Sequence, residues 1–410
     1  MVLKNRVIFK EITVKSIFTI EDFLRTYEKY KDLDLQKEIS FKKRNVSKTT
    51  KINPSLQIAS PEEAKDIAEI FNKVYLGTYP YKELTNEKEI RKMILDPAFY
   101  WTVFKVNSKE IIGCIGFHID LKNKSATFHG FAIKKEYQGV TDLLKLLIAG
   151  FYTILHKYHK KVLIWFCEVR SAHRKSQFLA AVQHLIPSAF FPKKDIFFNK
   201  EESEFLHILY DIDALKKYRK KERPKIIPRM LNSYIYAFEK FQIGLPEIKN
   251  YKKLKFNNNK IEDISRNLIR KVEKDNIGNE LITISIKNNN SFISFLYNPL
   301  IRIFEKTEYQ VSNKEELYLF ITEVKKLIKK KRIRYFECFV SGYKPSHQTI
   351  LYDAGLRPFG YIPSFKYNRD ENVFEDQIAF IYYEGKVNGN LKLIPENEKF
   401  LKIINPLWDF

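Results

Sequence analysis

The chain has 410 residues, 44% of them hydrophobic and 15% aromatic, with a formal net charge of +23. That length exceeds one ordinary core and points to two domains, while the apolar content excludes a disordered chain. The densest apolar run, 146–155, is too short to span a membrane, and charges at Lys4, Arg6, Lys10, Glu11 and Lys15 leave no room for a signal-peptide core. Cys114, Cys167 and Cys338 each sit in an apolar strand-like run, as small core residues of a reducing compartment rather than a disulfide or metal framework. The expectation is a soluble cytoplasmic protein without a membrane span.

Residues 1–53 form an N-terminal extension with a strand-like start (Val7, Phe9, Ile12, Val14) and a helical stretch over 20–30. A strand follows at 56–59. Ser60-Pro61-Glu62-Glu63 then caps a helix running to about Val74, with proline in the first turn and acids beside the dipole. A second helix spans 86–94, and three strands follow at 101–106, 111–120 and 125–133. The spacing of Leu143, Leu147, Phe151, Ile154 and Leu155 predicts a helix over 141–156. A buried strand (162–169), a helix (172–184) and a closing strand (205–210) complete this half.

The second half repeats part of the pattern. It has a meander at 280–287, 291–297 and 301–310, a helix over 314–330, a strand at 335–340, a helix at 346–354 and a closing strand at 377–383. This half lacks an evident first strand and helix pair, unless 261–274 supplies one helix. Ser171-Ala-His-Arg-Lys-Ser176 echoes Ser341-Gly-Tyr-Lys-Pro-Ser346 at the same point of the pattern, which supports duplication.

The element order and two motifs resemble the GNAT-type N-acyltransferases. Phe131-Ala-Ile-Lys-Lys-Glu-Tyr-Gln-Gly139 is similar to that family's fourth strand and entry to its pyrophosphate loop. Val169-Arg-Ser-Ala-His-Arg-Lys-Ser176 is similar to its fifth strand running into the fourth helix. The resemblance covers 54–213 and implies an α/β mixed-sheet protein of two GNAT-like domains in tandem. The first domain is 54–213 and the second, degenerate one is 253–385, with a basic linker at 214–252 and a docking tail at 386–410.

Such a family implies acetyl-CoA or another acyl-CoA as donor and an amine as acceptor. Backbone N–H groups at a helix N-terminus would meet the pyrophosphate, and the matching positions are Ile133, Gln138, Gly139, Val140, Thr141 and Asp142. The family's glycine at the fourth loop position is Thr141 here, which adds bulk and would equally serve as an ordinary helix N-cap. His173 stands where the family usually has Asn near the cofactor. His129 and Glu168 are the candidate general bases; a lone His or Glu on a strand is more commonly structural. The tyrosine that often acts as acid is replaced near Ala180. Tyr79 and Tyr81, in the loop between the first two helices, fall in a common acceptor-binding region and would line a pocket or simply pack. The equivalent second loop, from Gln310 to Glu315, has no glycine.

The charge admits two other classes. One is a degenerate scaffold holding RNA or protein; the other is a Fem-like aminoacyl-tRNA-dependent transferase. The runs 325–334 and 157–161 fall at helix ends, where cations complement the dipole. The linker run Lys216, Lys217, Arg219, Lys220, Lys221 and Arg223 is the expected footprint for nucleic acid, with Tyr218 available to stack a base.

Overall fold

Local chemistry fixes the elements. The computed structural model describes residues 17–40, 52–250, 254–387 and 391–405; the strand-like start at 7–14 and the apolar end at 406–410 lie outside these. Helix α1 (Ile20–Thr26) is closed by a capping box between Thr19 and Asp22. Strands β1 (Ile39–Ser40) and β2 (Ser55–Ile58) precede the Ser60/Glu63 capping box, which leads into α2 (Ala64–Val74); Asn86 caps α3 (Glu87–Leu95). The meander β3 (Phe99–Val106), β4 (Glu110–Asp120) and β5 (Ser125–Ile133) runs into α4 (Leu144–Lys157). Then come β6 (Ile164–Arg170), α5 (Arg174–Val182), β7 (Ile186–Phe197) and β8 (Lys200–Tyr210).

The stretch expected to be a linker is folded. It holds α6 (Ile212–Lys216), β9 (Lys225–Ile226), α7 (Leu231–Phe241) and β10 (Glu247–Ile248). The second unit begins with α8 (Asn258–Arg266) and β11 (Leu268–Lys274), so 261–274 is a helix end and a strand rather than one helix. Asn267 closes that helix, and the following segment pairs along β12. The unit continues as β12 (Glu280–Ile286), β13 (Phe292–Asn298), β14 (Ile303–Gln310), α9 (Lys314–Lys331), β15 (Tyr335–Ser341), α10 (Pro345–Asp353), β16 (Arg357–Asn368) and β17 (Val373–Tyr383), and α11 (Pro395–Ile404) follows it.

Each unit is built on one mixed sheet. The strand orders are β1-β2-β3-β4-β5-β6-β8-β7 and β11-β12-β13-β14-β15-β17-β16. In both, one parallel pair sits at the centre and barely holds. Strand β5 pairs with β6 over Ser125–Ile164, Ala126–Trp165 and Thr127–Phe166, and β14 pairs with β15 over Ile303–Tyr335 and Phe304–Phe336. Beyond those residues the strands separate. Helix α4 fills one face of the first sheet, and α2 and α3 cover the other, where Phe71, Tyr75, Tyr79 and Trp101 form a second core cluster.

The duplication is deeper than the six-residue echo, and its register is shifted by one. Arg170 and Ser341 end equivalent strands, so Ser171 corresponds to Gly342 rather than to Ser341. Pro187 and Pro192 of β7 match Pro358 and Pro363 of β16, strands the sequence pattern did not show. A bulge with left-handed backbone follows the second proline in each, at Lys193 (φ 54°) and Ser364 (φ 51°). Strands β7 and β16 are the edges of their sheets and pack on each other. A Cβ on Gly360 would stand 2.3 Å from the Ser188 carbonyl oxygen and 2.6 Å from the Ala189 Cα, so only glycine permits the approach.

The units also exchange arms. Lys225-Ile-Ile-Pro228, which follows the first unit, docks on the second. Lys225 N–H donates to the Gly342 carbonyl (2.8 Å), Ile227 N–H to Gln348 Oε1 (3.0 Å), and Gln348 Nε2 to the Lys225 carbonyl (2.9 Å). Lys392-Leu-Ile-Pro395, which follows the second unit, docks on the first through the same bonds. Lys392 N–H donates to the Ser171 carbonyl (2.9 Å), Ile394 N–H to Gln177 Oε1 (3.2 Å), and Gln177 Nε2 to the Lys392 carbonyl (2.9 Å). Helix α7 then lies on β16 and α11 on β7, and the two meet through the Tyr236 and Phe400 rings.

Both glutamines are fully buried. Gln177→Ala or Gln348→Ala would leave buried backbone groups unpaired, at about 1–3 kcal/mol for each group stranded. Each substitution is expected to lower stability in urea denaturation by about 3 kcal/mol. A loss below about 0.5 kcal/mol, an ordinary surface effect, would show that the arms do not hold the units together.

Candidate functional site

Where β5 and β6 part, the sheet presents an opening flanked by the start of α4. The loop into that helix is well ordered by its own contacts. Gln138 Nε2 donates to the Ile133 carbonyl (2.8 Å) and Thr141 Oγ1 to the Tyr137 carbonyl (2.8 Å). Thr141 is therefore not the N-cap: the helix begins at Leu144, its cap residue is Leu143, and no side chain caps it. Gly139 has φ +82°, with no atom within 4 Å of where a Cβ would stand. The segment at Ile52 crosses the loop, with Ile52 N–H on the Val140 carbonyl and Asp142 N–H on the Ile52 carbonyl.

The corresponding helix of the second unit is closed. Asn313 Oδ1 accepts from Glu316 N–H (3.1 Å), and Glu316 Oε2 accepts from Ser312 N–H (2.7 Å) and Ser291 Oγ (2.8 Å). Glu315 and Glu316 both stand in its first turn, whereas the first turn of α4 has no acid. An anion would meet one carboxylate, Asp142, ahead of α4 and two within the first turn of α9. Two units of matching strand order stand in tandem, and the helix start is capped by side chains only in the second.

The chain is similar to the ribosomal-protein-S18-alanine N-acetyltransferase of Escherichia coli (14% identity over 38% of this chain and 93% of that one, TM-score 0.32). It is similar to the ribosomal-protein-S5-alanine acetyltransferase of Vibrio fischeri (14%, 42% and 96%, TM-score 0.33) and to the spermidine N-acetyltransferase of Vibrio cholerae (15%, 40% and 97%, TM-score 0.32). No family model matches the chain, and no curated protein sequence does.

The two strand positions singled out as bases have different surroundings. His129, on β5, is packed between Phe99 and Trp101. Burial, with Lys306 and His118 nearby, brings its pKa down to about 4, so it is neutral near pH 7. Glu168, on β6, is about one-third exposed and accepts from Lys194 Nζ at 2.8 Å through both oxygens. Lys194 itself is buried, a residue the sequence reading passed over. Burial opposes its charge, but Glu168 and, from the second unit, Glu337 (3.5 Å) and Glu305 (3.9 Å) more than offset this and raise its pKa. Burial pushes the neighbouring Asp195 carboxyl up to about 6 and Glu305 up to about 8.

Tyr79 and Tyr81 do not line an open cavity. Tyr79 is buried against Phe71, Tyr75 and Phe197, and the Tyr81 hydroxyl donates to Asp195 (3.0 Å). The loop that carries them is gripped from the second unit by Asn298, whose Nδ2 donates to the Pro80 carbonyl. His173 sits half-buried at the start of α5, with its pKa lowered by burial and by Arg170. Ala180, where the family's acid would fall, is buried.

The cysteines Cys114, Cys167 and Cys338 are all free and buried. Among the described residues one group has metal-ligand spacing, Glu21, His159 and Asp211. The Lys160 ammonium already contacts both of its carboxylates, so their charge is met.

Buried histidines set an acid limit. Burial brings His129 and His347 to about 4 and His207 to about 3, against about 6.5 in an unfolded chain. Below pH 6.5 the unfolded chain therefore binds more protons, and stability is lost as the pH falls. The raised carboxyls of Asp195 and Glu305 act oppositely, losing stability as the pH rises from the unfolded carboxylate range through about 6 and about 8. A variant is thus needed to isolate the histidine effect. His207→Phe, which copies the equivalent Phe380, should cut the loss between pH 7 and pH 5 by about 2 kcal/mol in urea denaturation. An unchanged loss would mean that His207 titrates normally.

Proposed function

We propose that the first unit transfers an acyl group from coenzyme A, acetyl-CoA in the simplest case, to an amine. The observation that carries this is the contrast between the two helix starts: α4 is uncapped and has no acid in its first turn, beside a parted strand pair, and α9 is capped by Asn313 and Glu316. The chain fits the donor in part. First-turn N–H groups of α4 have no partner within the helix and Gly139 leaves space beside them, but Asp142 N–H is spent on Ile52. Ile133, Gln138, Gly139, Val140, Thr141, Asp142 and His173 are the residues proposed to surround the donor.

In the reaction the amine nitrogen attacks the thioester carbonyl carbon, the C–N bond forms and the C–S bond breaks. The ammonium proton passes to a base, and the departing sulfur takes up a proton. Glu168 is the proposed base because it is the more exposed of the two candidates and Lys194 fixes its carboxylate. His129, neutral and enclosed, is proposed to shape the pocket wall. Tyr79 and Tyr81 are proposed to bound the acceptor side, which a small-molecule or protein amine would approach. The unpaired cysteines favour a cytoplasmic setting, and no helix among the described residues is long and apolar enough to cross a membrane.

Lys145→Glu would place an acid in the first turn of α4, as Glu315 is placed in α9. Calorimetry with acetyl-CoA should show affinity falling at least tenfold, about 1.4 kcal/mol, with the fold intact. Unchanged affinity, or no binding by the wild type, would remove the donor from this helix.

A further inference from the structure

We propose that the concave surface formed by residues 215–224 and the 244–245 turn is a phosphate-binding site, separate from acyl transfer. It is a cavity of about 290 Å³ that opens to solvent, at the lower end of ligand-pocket sizes. Five cations and one carboxylate line it: Lys216, Arg219, Lys220, Lys221 and Arg223, with Glu222.

These cations divide into two sets. Arg219 and Lys220 are structural. The Arg219 guanidinium makes a two-pronged bond to the buried Asp376 (2.9 and 2.5 Å), and Lys220 pairs with Glu375 (2.8 Å). They pin the segment to the second unit, so the floor of the cavity is rigid before any ligand arrives. Lys216, Lys221 and Arg223 are exposed, and among the described residues no carboxylate stands at ion-pair distance from any of them. The single acid, Glu222, is turned to Lys225 (2.5 Å).

The end of α6 accounts for Lys216 and also for Lys221, whose Nζ donates to the Lys216 carbonyl. Arg223 lies on irregular chain beyond it and, among the described residues, has no ion pair. Three exposed cations around a hollow, none with a carboxylate at ion-pair distance among the described residues, are matched by an anion with several oxygens, and a phosphoryl group offers that.

The site reads phosphate and not base. No aromatic side chain lines it. Tyr218, the one aromatic within the run, is covered by the ammonium groups of Lys124 (4.5 Å) and Lys217 (5.0 Å) and packs on the core. The phosphate would belong either to a free nucleotide or to a nucleic-acid strand, whose chemistry at this site is shared.

The test uses the full chain and two fluorescent probes, a ten-nucleotide single-stranded RNA and a labelled ADP, at near-physiological salt. Three proteins are compared: wild type, Lys216→Met/Lys221→Met/Arg223→Met, and Lys325→Met/Lys329→Met/Lys330→Met at the end of α9. Arg219 and Lys220 are kept because they hold the units together. The cleft variant should lose binding at least tenfold, and its slope of log affinity against log salt for RNA should fall by about 2, for three lost phosphate contacts. The α9 variant, with the same net charge, should bind as wild type does. Binding of RNA alone assigns the site to a strand, and binding of both probes assigns it to the phosphate of a nucleotide. Equal loss in both variants, no loss in the cleft variant, or no binding by the wild type would overturn the proposal.

Discussion

The backbone approach of two bulged edge strands organises the molecule. Strands β7 and β16 each carry paired prolines that remove ladder donors, and each turns through a left-handed residue after the second proline. An edge strand with free N–H and C=O groups is a liability. Here each edge is bulged and packed against its counterpart, so close at Gly360 and Ala189 that no side chain intervenes. The exchanged arms follow from that geometry. With the edges face to face, the chain leaving β8 bonds to the second unit's turn at Gly342, and the chain leaving β17 bonds to the first unit's turn at Ser171. Each arm supplies the backbone partners that a buried glutamine was waiting for. The two units consequently share one continuous hydrophobic core.

Much of each unit was legible because its signals are local. Strands β12 and β13 alternate, β3 and β4 are apolar runs bounded by polar turns, and α9 announces itself through a long apolar stripe, an Asn cap and a basic end. The failures share one cause, a long-range partner. Strands β7 and β16 were obscured by Pro187, Pro192, Pro358 and Pro363, which read as turns until a neighbouring edge makes bulges of them. The basic stretch after Lys216 read as a linker because Asp376 and Glu375, which neutralise Arg219 and Lys220, lie on β17. The repeat Lys225-Ile-Ile-Pro228 and Lys392-Leu-Ile-Pro395 was visible but short, and it carries meaning only beside Gln348 and Gln177. For the candidate site, the loop and Glu168 were found by resemblance. Lys194 was missed among many lysines, although a Lys-Asp pair inside the apolar run 186–197 is the signal of a buried charge.

The symmetry also shows where the two halves diverge, and the divergence is chemical. Lys194 holds Glu168 of its own unit and faces Glu337 of the other. At the equivalent positions Phe365 packs on Phe339 of its own unit and on Phe166 of the other, with ring centroids 5.5 and 5.4 Å apart. One side of the pseudo-twofold axis is an ionic triad and the other an aromatic one, in the same backbone frame. Glu337 stands just past the last paired residues of β14 and β15, so the charged cluster occupies the opening of the second unit. Phe365 and Phe166 stand at the opening of the first, giving it an apolar wall.

That pairing bears on what the charges are for. Replacing a buried ion pair with packed apolar groups is commonly neutral or stabilising, and this protein contains the apolar solution to the same packing problem. Holding the two units together therefore does not require Lys194, Glu168 and Glu337 to be charged. What the ionic version adds is a carboxylate at Glu168 that is fixed in direction, partly open to solvent and unable to collapse into the core. A stability role alone would leave that position free to be apolar, as its counterpart Phe339 is. The one partly exposed carboxylate, Glu168, lies in the unit whose helix start is uncapped, while the buried Glu337 and Glu305 lie in the unit where α9 is closed by its own acids. The two asymmetries, one at a helix start and one in the interface, point to the same half of the molecule.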